Sequence, residues 1–429
     1  MRADDSLALS RTLRFEIPRD DGLSMPAGLL RLATAIQVGD KHDVTIHDAR
    51  RDPEGNRSLR TIASRVAPDL CVLWLHPATL EDGLEAARAL RQSGGSIIVG
   101  TGPLVDLWPE GACRIPELDG LLPGHSVAGL LSALGVLEQN GSGKALIDAL
   151  RAPKQLPPLR EPLQRGLVDF AVYSRAADSL WPPLNADVVG RLQRLALPRS
   201  SGRAQPTVSS VLLHDSLGQP ADPAQLIQEL KACAALGIQW LDLRAVSGCS
   251  ELDRSWFAQL FSELARYRAA SLSSAHLRVP LTPVLFGELD VPRLRAAGVS
   301  AVDLGAVNGG DSAELGEAIA AARRCRQAGL FATGVLVLGR SGYDLEEDRQ
   351  GVSTAIRASF PSTAGVDIRI ATVDSARWAN WLDAPGSEFH PPGLDSERLV
   401  LADRARLALQ TTWKRGSGLR GSVEQFLRR

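Results

Sequence analysis

The residues best placed to do chemistry stand at the ends of apolar runs. The most conspicuous is an adjacent pair, His214 and Asp215, closing "TVSSVLLHD". A carboxylate beside an imidazole can orient it for base catalysis. Neighbours on a strand point to opposite faces, so a strand-end or capping role stands beside that reading. Asp242 and Arg244, Asp303, Gly305 and Asn308, Gly339 and Arg340, and Asp374 close later runs in the same way. In "LGAVNGGD", Leu304 to Asp311, the glycines let the backbone come close to a ligand and offer amides to a carboxylate or a ribose, or else form a tight turn. Gly339 and Gly342 bracket Arg340, a candidate anion clamp or a partner for Glu346 or Glu347.

Upstream, His47 and His76 sit near the ends of two further runs, within reach of a metal centre or a flat ring, or as ordinary hydrogen-bonded residues. "VGTGP", with Gly100, Gly102 and Pro103, reads as a turn that leaves room for a bulky ligand. Asp222 before Pro223 reads as a helix N-cap with proline at the first helical position. The five cysteines, Cys71, Cys113, Cys233, Cys249 and Cys325, are odd in number and unclustered, and no C-x-x-C occurs. That usage fits reduced, mostly buried thiols rather than disulfides or a zinc site.

The elements that must position these residues alternate clearly. "TLRFEI", "DVTIHDA", "DLCVLWL", "GSIIVGT" and the short "LDGLLPG" are strand candidates, apolar on both faces as a covered parallel sheet requires. Between them lie helical stretches such as "PAGLLRLATAIQVG" and "LEDGLEAARALRQSG". Five strands with helices between them predict a doubly wound α/β domain over 1–140, with ligands at the carboxyl strand ends: Asp48, His76, and Gly100 to Pro103. A proline- and leucine-rich linker is expected over 141–205. Alternation then resumes over 206–375 with six strands, too few for a closed eight-fold barrel and suited to a partial (β/α)6 TIM-like one. Within it, Gly237, Gly298 and Gly329 are expected to end helices in the left-handed conformation. A helical C-terminal tail is expected over 376–429.

At 429 residues the chain is long enough for two or three domains of roughly 150 residues each. With 48 Lys and Arg against 49 Asp and Glu, its overall field attracts neither nucleic acid nor an anionic membrane. No apolar run reaches membrane-spanning length and the N-terminus lacks a signal-peptide core, so a soluble, cytoplasmic protein is expected.

The order of the pieces resembles the cobalamin-binding class of radical S-adenosylmethionine (SAM) enzymes from about residue 12 to 375. "MPAGLLRLATAIQ" resembles the family's opening helix, "VTIHDA" its strand ending in Asp-Ala, and "VAPDLCVLWL" its Pro-Asp strand. "SIIVGTGPLVDLWPE" matches its Gly-Gly-Pro turn, and "LDGLLPGHSVAGLLSAL" a segment in which His125 replaces a glutamate. "LRAAGVSAVDLGAVNGG" and "CRQAGLFATGVLVLGRSGYDLEED" resemble two successive units of the barrel. The resemblance implies cobalamin in the cleft between the domains, along Asp48, His76, Thr79, Gly100, Gly102 and Pro103. It implies SAM at the barrel mouth, near Asp242, Gly305, Asn308 and Gly339.

Two departures bear on activity. The family carries CxxxCxxC in the loop after the first barrel strand, where three thiolates hold a [4Fe-4S] cluster and leave one iron open to SAM. Here that loop is "HDSLGQPADP", and "GAVNGG" stands where the family has Gly-Ile-Glu-Ser. The expectation is a degenerate member with no [4Fe-4S] cluster: a scaffold, carrier or sensor that binds a corrinoid or a protein partner such as an active homologue. The alternative is an enzyme performing polar methyl transfer with cobalamin and SAM.

Overall fold

Two short runs, "LCVLW" and "IIVGT", with Thr101 their one polar side chain outside Cys71 and Trp74, must be covered on both sides, and they lie in the N-terminal sheet. A computed structural model describes residues 27–38, 42–47, 56–75, 80–107, 109–123, 126–139, 141, 143–151, 162–163, 165, 208–215, 219–238, 240–245, 252–271, 275–339, 344–359, 365–370 and seven positions between 397 and 405. Strands β1 (Leu70–Trp74), β2 (Ile97–Thr101) and β3 (Gly120–Leu122) are parallel, in the order β1-β2-β3.

Strand alternation divides the core in two. Cys71, Leu73, Leu75 and Ile98 pack with Leu59 and Ala63 of α2 (Asn56–Val66) and with Leu84, Ala87 and Leu90 of α3 (Leu80–Ser93). Val72, Trp74 and Val99 face the other way. They meet Leu29 and Leu32 of α1 (Ala27–Val38), Leu130 and Ala133 of α6 (Val127–Glu138), and Leu146 and Leu150 of α7 (Gly143–Arg151). Two short helices, α4 (Pro103–Leu107) and α5 (Pro109–Ala112), follow β2. The sheet is therefore doubly wound, as expected, but with three strands among the described residues rather than five. Asp43 to His47 joins no ladder, although Val44 and Ile46 alternate with the exposed Asp43 and Thr45. A two-residue period specifies an extended chain, and a ladder also requires a neighbour in register. The candidate strand at 12–17 lies outside the described residues. Helix α7 stands where the linker was expected to begin, and its Ile147 and Leu150 rest on Gly120.

The second sheet has six parallel strands in sequential order. These are β4 (Val208–Leu212), β5 (Trp240–Arg244), β6 (His276–Pro280), β7 (Val299–Asn308), β8 (Phe331–Leu338) and β9 (Gly365–Ile370). Helices α8 (Pro223–Ala235), α9 (Arg254–Ser271), α10 (Pro283–Glu288), α11 (Val291–Ala296), α12 (Ser312–Gln327) and α13 (Leu345–Ser359) connect them. Asp222 caps α8 by accepting from the Ala224 amide, with proline at the first turn, as expected. Gly237, Gly298 and Gly329 have φ of 75°, 89° and 72°, the left-handed helix ends read from the sequence.

Val211, Leu213, Leu241, Leu243, Leu277, Val279, Val302 and Leu304 all enter the core shared with the helices. Alternation then assigns Ser210, Asp242, Arg278 and Asp303 to the opposite, inner face, the arrangement of a partial barrel. Residues 397, 398, 400–402, 404 and 405 are helical, and Leu401, Ala402 and Ala405 pack on Val307, Leu336 and Val352. No helix among the described residues is long and apolar enough to cross a membrane.

Candidate functional site

Register brings four charged residues together on the inner face. Ser210 pairs with Asp242, Asp242 with Arg278, and Pro280 with Asp303. Arg244 Nε donates to Asp242 Oδ2 at 2.7 Å, and Arg278 Nη2 donates to Asp303 Oδ2 at 2.6 Å with Nη1 3.7 Å from Asp242 Oδ1. Burial alone would lower the Arg278 pKa, but the charges of Asp303 and Asp242 more than offset it and hold the guanidinium protonated. Two carboxylates and two guanidiniums thus neutralise one another, the condition under which buried charge is tolerated. Leu212, Thr333 and Val335 stay half-buried beside them. Sequence reading singled out Asp242, Arg244 and Asp303 but not Arg278. A lone arginine inside the apolar "HLRVP", in phase with Asp242, was the signal for it.

The amides expected to receive a ligand are engaged by the chain itself. Gly305 N donates to Asp303 Oδ1 at 3.1 Å within β7, and Gly310 N donates to Asn308 Oδ1 at 3.1 Å in the turn that follows the buried Asn308. Gly339 N donates to Oδ2 of the fully buried Asp348 at 3.0 Å, and Arg398 Nε donates to the same oxygen at 2.6 Å. Gly305 and Gly339 each have φ of 77°, so the turns themselves call for glycine. Glu346 pairs with Arg349, and Glu347 accepts from the Asp344 amide. Arg340 and Asp374 lie outside the described residues.

The first barrel loop also closes on itself. His214 is buried and forms an antiparallel bridge to Pro220, and Asp215 N donates to Gln219 O while Asp215 Oδ1 accepts from Gln219 N. The pair thus serves as a strand end and a loop cap. From α1, Arg31 Nη1 donates to Asp215 O at 2.9 Å and Nη2 donates to His214 O.

At the N-terminal sheet edge the two glycines of "VGTGP" are closely packed by the chain itself. A Cβ on Gly100 would lie 2.8 Å from Leu75 Cδ1 and 2.9 Å from Leu118 Cδ1, so this glycine makes space for the core. A Cβ on Gly102 would lie 2.9 Å from Leu75 O and 3.1 Å from the Trp74 ring, at φ of 101°. At both glycines an added Cβ would meet neighbouring protein atoms. Thr101 Oγ1 donates to Leu122 O, tying the same turn to β3. Pro103 opens α4, and His47 is buried. Asp48, His76 and Thr79 lie outside the described residues.

Thiolates are the ligands an iron–sulfur cluster requires. Cys71 sits in β1, Cys233 in α8 and Cys325 in α12, all buried, while Cys113 is exposed beyond α5 and Cys249 lies outside the described residues. Burial pushes the Cys233 thiol up to about 11 and Cys325 to about 12, and raises Cys71 as well. These three are protonated, buried thiols on three different elements. Among the described residues no group of three or more His, Cys, Asp or Glu side chains is arranged to hold a metal ion.

No family model matches the chain, and no curated protein matches it in sequence. Solved structures do match in fold. The radical S-adenosylmethionine methyltransferase TsrM from Kitasatospora setae, with cobalamin and [4Fe-4S] cluster bound, aligns at 16% identity and a TM-score of 0.53, over 80% of this chain and 72% of that one. The same enzyme with tryptophan substrate and the SAM analogue aza-SAM aligns at 17% identity and a TM-score of 0.53, over 80% and 70%. At such identities the likeness is one of fold, an α/β chain with parallel sheets.

Proposed function

We propose that this chain is a non-catalytic relative of the radical SAM methyltransferase fold, a scaffold, carrier or sensor that binds a corrinoid or a protein partner. The observation that supports it is the closure of the first barrel loop. Where the resemblance calls for three cysteines, the chain has a loop that pairs Asp215 with Gln219 and bridges His214 to Pro220, with the Arg31 guanidinium on its carbonyls. Reductive cleavage of a sulfonium needs an electron delivered at that place, and a guanidinium delivers none.

The inner face supports the same reading. Asp242, Arg244, Arg278 and Asp303 pair with one another, and the Gly305, Gly310 and Gly339 amides are bonded within the chain. A ligand there must compete with partners already in place. Polar methyl transfer is the rival reading, and product analysis separates the two. The anaerobic protein is incubated with SAM, a strong reductant and hydroxocobalamin. Neither 5′-deoxyadenosine nor S-adenosylhomocysteine is expected above the protein-free background; catalytic formation of either overturns the proposal. Equilibrium dialysis with hydroxocobalamin then divides the carrier form of the proposal from the partner-binding form.

A further inference from the structure

We infer that Arg31 is a lock between the N-terminal unit and the barrel, and that the carbonyls of His214 and Asp215 are its built seat. The argument starts from the edge of the second sheet. Strand β4 stands first in the order β4-β5-β6-β7-β8-β9, so among the described residues one of its sides has no strand neighbour. Leu213 N donates to Arg244 O while Leu213 O accepts from Ala221 N, so the Leu213 amide faces β5 and alternation turns the backbone groups of Ser210 and Leu212 toward the other side. A bare edge of this kind is a liability that proteins cover.

Two arginines from earlier in the chain cover this one. Arg165, almost fully buried, donates through Nη2 to Ser210 O at 2.9 Å and through Nε to Ser209 Oγ at 2.6 Å, and its charge meets Glu229 at 2.5 Å. Four residues further along the strand, Arg31 reaches His214 O and Asp215 O. A planar guanidinium presents parallel donors, so one side chain can bridge two successive carbonyls.

Helix α1 is built for this bridging. Leu29, Leu32, Ala35 and Ile36 pack into the core of the N-terminal sheet. Leu30, Ala33 and Thr34 are 0–1% exposed without belonging to that core, and Thr34 Oγ1 is turned onto Leu30 O. The helix is thus buried on both faces, and Arg31 projects from the second face into the barrel loop. The lock does not depend on whether the chain is catalytic. It joins α1 to the loop after β4 and so ties the two units together at that point.

Hydrogen exchange on the full chain tests the lock. In Arg31→Ala, exchange at the Asp215 and Ala221 amides is expected to accelerate about 10-fold or more, the scale of lost hydrogen bonds from a charged donor, while Leu277 and Leu281 in β6 and just beyond it keep their protection. Guanidinium ion at millimolar concentration is expected to restore protection in this variant and to leave the parent chain unchanged. Unchanged exchange at Asp215 and Ala221, or no response to guanidinium, overturns the inference. Arg31→Lys keeps the charge and serves if the alanine variant does not fold. Its single ammonium is expected to recover only part of the protection, and full recovery overturns the two-carbonyl seat.

Discussion

Replacing Gly102 by alanine separates a turn glycine from a ligand cradle. Its φ of 101° belongs to glycine, and an alanine held there costs about 1–3 kcal/mol. The new Cβ would lie 2.9 Å from Leu75 O and 3.1 Å from two atoms of the Trp74 ring, which is itself 5% exposed in the core. A backbone oxygen and a packed indole yield little, and overpacking adds roughly 1–3 kcal/mol. The sum, about 2–6 kcal/mol, should fall on the N-terminal unit. Exchange at the Leu75 and Leu104 amides, which donate to Thr101 O and Leu75 O, reads it without assuming that the whole chain unfolds in two states. The smaller figure corresponds to an acceleration of about 30-fold. Gly237→Ala is the control: its φ is 75° and nothing lies within 4 Å of the added Cβ, so only the backbone cost, about 1–2 kcal/mol, applies. If Gly102→Ala leaves exchange within about 3-fold of the parent while abolishing hydroxocobalamin uptake, the packing argument fails and the glycine serves a ligand.

Arg165→Met leaves Glu229 buried without its charge partner and is expected to cost about 3–5 kcal/mol in denaturant unfolding, with much of it recovered in Arg165→Met/Glu229→Leu; a single variant within about 1 kcal/mol of the parent would contradict the pairing. Burial, aided by the Arg268 charge, depresses His276, so its contribution is present above the unfolded value of about 6.5 and lost as pH falls through it. The acid slope of stability should flatten in His276→Gln, and an unaltered slope would count against burial of the neutral ring. Cys233 and Cys325 are raised to about 11 and about 12, so unfolded thiols ionise first and stability should decline as pH rises above about 8.5. At pH near 8, iodoacetamide should label Cys113 in the folded chain and spare Cys71, Cys233 and Cys325; labelling of the three buried thiols in native conditions would disprove their enclosure.

Much of the fold was legible because burial writes itself locally. "LCVLW" is apolar at every position because both its faces are covered, and "AALGIQW" declares a helix end because a left-handed residue is cheap only for glycine. The six barrel strands and the Asp222 cap follow from such rules, as does the absence of neighbouring cysteines in the loop after β4. The site was less legible because its partners are remote. Arg31 meets His214 across 183 residues, Arg165 meets Ser209 across 44, and Arg398 meets Asp348 across 50. Residue types advertise a donor or an acceptor, but only the packed chain decides which acceptor a donor reaches. The glycines show the same division: sequence marked Gly100, Gly102, Gly305 and Gly339 as places of close approach, and tertiary structure decided what approaches. At Gly100 and Gly102 it is Leu75, Leu118 and Trp74; at Gly305 and Gly339, the carboxylates of Asp303 and Asp348 take the amides. A missing side chain creates space without specifying its occupant, and in a close-packed interior the nearest segment of the same chain fills it.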